Sequence, residues 1–364
     1  MAKESMKKNK AKKKVIKKKA KKVKATLDGE FSVSDIVGDL AKDFEIEVMS
    51  ESAEDRTPYY IPFKNKALQA ITGGVPGGRM SEFRGDSQCG KSYLLYELGI
   101  ETINMGGAFL LHDIETAYEP AYGRRVGLEG DKAFGLSEEK KMENIFLLSR
   151  KFVNKIRERN TKCPILIGCD SYPPIQTILS AEEIEAAVKK DGAKALKGYR
   201  EAKKNALFSN LIGEFVSFLR DNEATFIMLN QLKKQIGVMF GSDLTSNADN
   251  IIKYYVTLRL QGIIGKKVVK KKKINGKDIT KKLGVWSSWE TIKNRNTAPF
   301  KKCSVRIMYK DGIDEYSGLK ELLVAEELVK PVPKKPDIVK YKGREYDIPK
   351  LIAKKPSLLK RLGE

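Results

Sequence analysis

An eight-residue stretch, Gly85–Ser92, constrains the fold of this chain more than any other part of its sequence. It reads GDSQCGKS and has the spacing G-x-x-x-x-G-K-S of a loop that wraps its backbone around phosphate groups. Met80–Arg84 before it alternates like a short strand, and Tyr93–Ile100 after it has the pattern of a helix. A glycine loop between a strand and a helix predicts an α/β fold that binds a nucleotide.

Each position of this phosphate loop has an expected role. The glycines permit backbone torsions that bring several N–H groups towards phosphate oxygens at the start of a helix. The lysine is expected to contact the β- and γ-phosphates, and the serine hydroxyl to ligate Mg²⁺. The predicted ATP-binding residues of the loop are Gly85, Asp86, Ser87, Gln88, Cys89, Gly90, Lys91 and Ser92.

Three apolar segments predict further strands of a mostly parallel sheet. They are Ala108–His112, Pro164–Cys169 and Thr225–Leu229. Glu115, Asp170 and Gln231 follow these segments closely along the chain. Because ligands of parallel α/β sheets bind at the carboxyl ends of strands, we expect all three side chains to lie beside the phosphate loop.

The three polar residues have distinct expected roles. Asp170 is predicted to bind Mg²⁺ together with Ser92, directly or through water. Glu115 can polarise the water that attacks the γ-phosphate, and Gln231 can sense that phosphate by a hydrogen bond. The alternatives are a polar strand end for Asp170 and a surface acid for Glu115.

The charge of the chain is concentrated in two runs. The 70 Lys and Arg exceed the 47 Asp and Glu, which gives a net charge of +23. Residues 1–25 hold 13 Lys and one Glu, and residues 266–282 hold nine Lys and one Asp. Local positive patches on a nearly neutral body indicate a polyanionic partner, nucleic acid first. The alternative is a solubilising tail and a solvated hairpin tip around Asn275-Gly276, a dipeptide typical of a type I′ turn.

The hydropathy and the cysteine and histidine content limit the possible classes of protein. No apolar run approaches the ~20 residues of a membrane span, and no secretory signal is evident. The four cysteines lack disulfide or zinc spacing, and His112 is the only histidine, so we expect a cytoplasmic protein without a histidine-rich metal site.

We predict four regions along the chain: a disordered Lys-rich tail (1–25), a helix, strand and linker (26–57), the ATPase core (58–330) and a short C-terminal α/β appendage (331–364). In the second region, one face of a helix carries Ile36, Val37, Leu40 and Phe44. That element is too small to fold alone, so it must dock on its own core or on a neighbouring subunit.

The segment after Gln231, here called the DNA loop (Lys233–Ser242), combines lysines, glycines and an exposed-looking aromatic. Such a composition suits contact with single-stranded DNA, and the alternative is a surface loop with one buried aromatic. The predicted DNA-binding residues are Lys233, Lys234, Gly237, Val238, Met239, Phe240, Gly241 and Ser242. A Lys-rich, helix-prone region at 180–204 could also face DNA, although its first half is acidic.

Several motifs together resemble the RecA/UvsX recombinase family, from about Ile61 to Leu328. The motifs are GGVPGGRMSEFRGDSQCGKS from Gly73, Asp113-Ile114-Glu115 with Tyr118–Tyr122, Asn230-Gln231 with Ile236–Gly241, Lys293–Phe300, and Asp311–Gly318. The most specific is Asn230-Gln231 with Ile236–Gly241, which is close to bacterial RecA. Two departures are Arg295, which stands where bacterial RecA has Lys, and Leu244–Ala248, which lacks the family's glycine pair.

The resemblance implies a RecA-like core, ATP and Mg²⁺ as ligands, and a helical homo-oligomer on DNA. It implies that Tyr122 packs on adenine and that the element at 34–49 docks on a neighbouring subunit. It also implies that Lys293 and Arg295 reach the γ-phosphate bound to an adjacent subunit. The resulting catalytic set is Lys91, Glu115, Gln231, Lys293 and Arg295, and the subunit interface adds Ile36, Val37, Leu40 and Phe44.

The function expected from the resemblance is an ATP-dependent recombinase that coats single-stranded DNA and pairs it with homologous duplex DNA. Single-strand-binding and loader proteins are further candidate partners. The alternatives are a hexameric helicase or ring motor with the same core, and a non-hydrolysing protein that coats DNA. The set of Lys91, Glu115 and Asp170 argues against the last of these.

Overall fold

The computed structural model describes residues 57–128, 133–159, 162–179, 181–234, 244–274, 277–335 and 337–363. The predicted tail, the predicted helix face from Ile36 to Phe44 and the centre of the DNA loop lie outside these residues.

Fifteen strands and nine helices span the described residues. In chain order the strands are β1 (Tyr60–Ile61), β2 (Val75–Pro76), β3 (Met80–Gly85), β4 (Ala108–Asp113), β5 (Phe134–Ser137), β6 (Ile165–Asp170), β7 (Ala224–Lys234), β8 (Leu244–Ser246), β9 (Leu258–Ile274), β10 (Lys277–Asn294), β11 (Lys302–Met308), β12 (Gly312–Ile313), β13 (Lys330–Pro331), β14 (Ile338–Tyr341) and β15 (Arg344–Asp347). The helices are α1 (Lys66–Thr72), α2 (Lys91–Asn104), α3 (Pro120–Val126), α4 (Met142–Arg157), α5 (Ala181–Asp221), α6 (Asp249–Tyr255), α7 (Leu319–Ala325), α8 (Ile348–Lys354) and α9 (Ser357–Gly363).

One large sheet organises the protein. Its strand order is β12-β11-β10-β9-β3-β7-β6-β4-β5, with β8 paired to β7. The six strands from β9 to β5 run parallel to their neighbours, whereas β10, β11 and β12 are antiparallel additions. The predicted α/β fold with a mostly parallel sheet is therefore confirmed.

The central strands are apolar runs because helices cover both of their faces. Every residue of β6 is buried, and so is nearly all of β4. One face packs against α1, α2 and α7, and the other packs against α4, α5 and α6. The two cores pack against both faces of the central sheet, and they therefore support the strand ends that carry the site side chains.

The hairpin predicted around Asn275-Gly276 is part of a longer one. Its strands β9 and β10 begin inside the central sheet and stay paired out to Ile274 and Lys277. The residues of the predicted turn, 275–276, lie outside the described part of the chain. From Lys277 to Lys282, β10 pairs only with β9, so the lysine-rich end of the hairpin forms a two-stranded ribbon.

The C-terminal segment forms a small three-stranded antiparallel sheet, β13-β14-β15, followed by α8 and α9. Its apolar residues Val339, Leu351 and Leu362 join the same core as α1 and α2. The described helices include none with the length and apolar character needed to cross a bilayer.

Candidate nucleotide-binding site

The phosphate loop has the conformation that its sequence predicts. It lies between the end of β3 at Gly85 and the first residue of α2 at Lys91. Gly90 caps the helix with a φ of 100°, a left-handed conformation that side chains rarely adopt. A Cβ atom at Gly90 would collide with Ile307, and one at Gly85 would collide with the carbonyl oxygen of Gly262. Gly90 is therefore required by its backbone conformation and by close packing, and Gly85 by close packing alone.

Neighbouring strands hold the loop in place. The Asp86 N–H donates to the Gly262 carbonyl at 3.0 Å, and the Asp86 carboxylate accepts from the Ile264 N–H at 3.1 Å. The Ser287 hydroxyl donates to the Cys89 carbonyl at 2.7 Å. Cys89 is buried, whereas Ser87 and Gln88 are exposed. The loop is thus preorganised by β9 and β10, which reduces the entropy cost of binding a phosphate.

Lys91 directs its ammonium group across the loop. Its Nζ atom donates to the carbonyl oxygens of Gly85 at 3.0 Å and Asp86 at 2.7 Å. The positive charge therefore lies beside the backbone N–H groups at the N-terminus of α2, where an anion is stabilised.

The predicted metal-site residues are brought together. Asp170 ends β6, and its carboxylate lies beside the Ser92 hydroxyl. The pKa of Asp170 is raised to about 6, mainly by burial and in addition by the neighbouring carboxylates of Glu115 and Asp113, while Ser92 and Lys91 act to lower it. Such a crowded acidic group is stabilised in its charged form by a cation. A hydroxyl and a carboxylate oxygen are ligands that suit Mg²⁺, so the residues present fit the predicted metal.

Glu115 lies beside this pair, at an exposed position after β4. Its carboxylate accepts a hydrogen bond from the Ser171 hydroxyl at 2.5 Å, and its N–H donates to the Asp170 carbonyl at 3.3 Å. Asp113 accepts from the N–H groups of Ala117 and Tyr118 at 3.1 and 2.8 Å. These bonds fix the turn that carries Glu115, and its carboxylate remains open to water.

A cavity of about 350 Å³ adjoins the phosphate loop. Tyr122, from α3, lines it, and its ring lies 6.4 Å from that of Tyr96. Ile307 and Tyr309 form the opposite wall. Neither residue could be predicted to line the site, because no local sequence pattern shows that an antiparallel strand reaches the phosphate loop.

Gln231 lies directly beside the phosphate loop. In the pairing of β3 with β7, Gln231 is opposite Gly85, and its side chain is exposed. Its N–H donates to the side-chain oxygen of Asn230 at 3.0 Å. The amide of Asn230 in turn donates to Glu82 at 2.9 Å and to the Asn247 carbonyl at 2.8 Å.

The strand that carries Gln231 is longer than predicted. The sequence predicts its end at Leu229, whereas β7 continues to Lys234 because β8 pairs with it. Lys233 and Lys234 are therefore strand residues, and Lys233 donates to the Asn247 side chain at 2.5 Å. The other predicted DNA-binding residues, from Gly237 to Ser242, lie outside the described residues.

Lys293 and Arg295 lie at the opposite edge of the sheet from their own phosphate loop. Lys293 pairs with Arg259, whereas Gly85 pairs with Gly262, three residues further along β9. The Lys293 ammonium donates to the Lys253 carbonyl at 2.6 Å, and Arg295 is exposed. The structure thus separates these two cations from the other members of the predicted catalytic set.

Comparison with known proteins gives a consistent family. Residues 64–314 match the model of the RecA N-terminal domain. The RecA protein of Ruminococcus albus is 25% identical over 261 residues, which cover 71% of this chain and 58% of that protein. RecA of Thermotoga petrophila is 27% identical over 291 residues, or 78% of this chain and 73% of that protein. RecA of Streptomyces rimosus is 27% identical over 277 residues, which cover 74% of this chain and 65% of that protein.

Proposed function

Because this chain belongs to the RecA family, we propose that it is an ATP-dependent recombinase. It polymerises on single-stranded DNA and pairs that strand with a homologous duplex. The observation that carries the proposal is the division of the site between two edges of the sheet. The phosphate loop, Asp170, Glu115 and Gln231 lie at one edge, and Lys293 and Arg295 lie at the other. Subunits stacked head to tail bring the two halves together.

The phosphate loop holds the triphosphate, and the adjoining cavity holds the base. The backbone N–H groups from Ser87 to Gly90 surround the phosphates, Lys91 contacts the terminal ones and Tyr122 packs on the adenine. Ser92 and Asp170 would hold Mg²⁺, which supplies charge compensation for the phosphate oxygens when bound.

Glu115 acts as the general base. Its carboxylate accepts a proton from the water that attacks the γ-phosphate, and the Ser171 hydrogen bond orients the carboxylate for this step. The bond between the γ-phosphorus and the bridging oxygen breaks as the new bond from the water oxygen forms, giving ADP and phosphate. Lys293 and Arg295 of the adjacent subunit stabilise the charge on the transferring group.

Gln231 links the nucleotide to DNA. It lies opposite Gly85 and three residues before Lys234, where the described part of the DNA loop ends. A hydrogen bond from Gln231 to the γ-phosphate therefore favours one backbone conformation at the start of the DNA loop. Lysines there and on the β9–β10 ribbon contact phosphates, which bind DNA without regard to its sequence.

The test measures ATP hydrolysis by the full chain with and without single-stranded DNA, together with electron microscopy. We expect DNA to raise the rate and helical filaments to form with a slowly hydrolysed ATP analogue. Glu115→Gln is expected to bind ATP and form filaments that persist, because only the proton acceptor is removed. Closed six-membered rings, or hydrolysis unaffected by DNA, would show that the protein is a ring motor or another ATPase. DNA coating without any hydrolysis would favour the architectural alternative.

A further inference from the structure

Four charged side chains form a buried cluster behind the phosphate loop, here called the ion network. Glu82 and Arg84 lie on β3, Arg259 lies on β9 and Asp249 begins α6. The network contains two positive and two negative groups. None of the four belongs to the set expected to contact the nucleotide or DNA.

The bonds within the network are specific. The guanidinium of Arg259 donates to both Glu82 and Asp249, and that of Arg84 donates to Asp249 at 2.8 Å. The exposed fraction of the side chains is 0% for Glu82, 5% for Arg259, 7% for Arg84 and 27% for Asp249. Removing one partner of such a cluster leaves another charge buried without compensation, which is strongly destabilising, so the four groups are expected to stay bonded to one another.

Polar side chains tie the network to two further segments. The Ser246 hydroxyl lies 3.3 Å from Glu82, from Asp249 and from Arg259. Glu82 also accepts from the Asn230 amide. The network therefore contacts β3, the strand that carries Gln231, and the segment Leu244–Asp249 that follows the DNA loop.

The ion network is connected both to the phosphate loop and to the segment that follows the DNA loop. Arg84 directly precedes Gly85, so a shift of the phosphate loop moves its guanidinium. Asp249 and Ser246 hold the segment through which the chain returns from the DNA loop. This segment contains no glycine, and the side chains of Ser246 and Asp249 anchor it to the sheet. The connection does not pass through the side chain of Gln231, which lies at the other end of the DNA loop.

We propose that Asp249 is a positioning residue that fastens the return segment of the DNA loop to the phosphate-loop strand. Through Arg84 it transmits the nucleotide state to that segment, in parallel with Gln231. The proposal rests on the function proposed above, because the loop it positions is the one expected to bind DNA.

The primary test uses nucleotide alone, so that it does not depend on DNA binding. Hydrogen exchange of the full chain is measured by mass spectrometry with and without a slowly hydrolysed ATP analogue. In the wild type we expect the analogue to slow exchange in peptides covering 244–249 by about fivefold or more, a typical allosteric coupling. In Asp249→Asn this effect is expected to disappear, while the phosphate-loop peptide remains protected. Asp221→Asn is the matched control, because Asp221 lies in an exposed ion pair with Arg220.

The outcomes separate this proposal from the proposed function. Full protection of 244–249 in Asp249→Asn, or none in the wild type, overturns the positioning role. If Asp249→Asn does not fold, Ser246→Ala removes only the bridging hydroxyl and is expected to reduce the protection; unchanged protection there also overturns the role. In a second measurement, the ATP-dependent gain in affinity for single-stranded DNA is expected to fall about tenfold in Asp249→Asn. A wild type that binds no DNA refutes the recombinase, whereas the exchange result still decides the role of Asp249.

Discussion

Two inactive variants of this protein are expected to restore activity when they are mixed. The first, Lys91→Ala, lacks the lysine of the phosphate loop but keeps the cations at the other edge of the sheet. The second, Lys293→Ala with Arg295→Ala, has an intact phosphate loop but lacks those cations. If each site is built from two subunits, a loop from the second variant beside the cations of the first is complete.

The expectation follows from the distances within the sheet. Lys293 is two strands from β3 and three residues behind the level of Gly85. With about 3.3 Å per residue and about 4.8 Å between strands, its Cα atom lies roughly 14 Å from that of Gly85. Arg295, whose N–H bonds to the Thr257 carbonyl, lies at roughly 19 Å on the same spacing. Phosphates bound by the loop lie further out beyond the strand ends, so neither cation can serve its own site.

The size of the recovery follows from random mixing. In an equimolar mixture each position along a filament holds either variant with equal chance. An active site needs the second variant on its nucleotide side and the first variant on its cation side, which occurs for about a quarter of the contacts between neighbours. We therefore expect about 25% of the wild-type rate of DNA-stimulated hydrolysis.

The assay measures phosphate release at a fixed total protein concentration while the ratio of the two variants is changed. The rate is expected to peak at equal amounts and to vanish at either end of the series. A variant with Lys91→Ala, Lys293→Ala and Arg295→Ala together, mixed with either parent, is the control for simple dilution. If the mixture stays inactive although both variants join the same filaments, the cations do not act between subunits.

Two further predictions concern stability and DNA binding. Burial raises the pKa of Glu97 to about 7, and neither carboxylate oxygen has a hydrogen-bond partner among the described residues. The protonated form is therefore favoured in the folded state, and its stabilising effect is lost as the pH rises through 7. The effect of Glu97→Gln on the free energy of unfolding is therefore expected to be about 3 kcal/mol more favourable at pH 8 than at pH 4. Urea denaturation at the two pH values measures this difference, and an equal effect at both would contradict the prediction. Deletion of residues 1–25 is expected to weaken non-specific DNA binding and to flatten its salt dependence without changing hydrolysis in the absence of DNA, and an unchanged salt slope would assign the tail another role.

The local parts of the site could be predicted from the sequence because each has its own signal. The glycine spacing located the phosphate loop, and the apolar runs located β4 and β6 to within a residue or two. The ends of parallel strands meet at one edge, so Glu115, Asp170 and Gln231 could be placed together before any contact was known. Their roles in catalysis stay predictions.

Other parts depend on pairings between distant segments and have no local signal. The extension of β7 beyond Leu229 comes from its pairing with β8, and the cavity wall at Tyr309 comes from the position of β11. Arg84 stands in a short strand, where sequence alone gives no reason to expect a partner such as Asp249. Sequence also did not show that α5 reaches 41 residues, because only its Lys-rich first part was recognised as helical.

The placement of Lys293 and Arg295 gives each subunit a direction. A filament built in this way has one more nucleotide pocket than it has completed sites. The last subunit at one end displays a pocket without cations, and the last subunit at the other end displays cations without a pocket. Growth and loss at the two ends of such a filament would therefore be chemically different events, and an isolated subunit would not be expected to hydrolyse ATP.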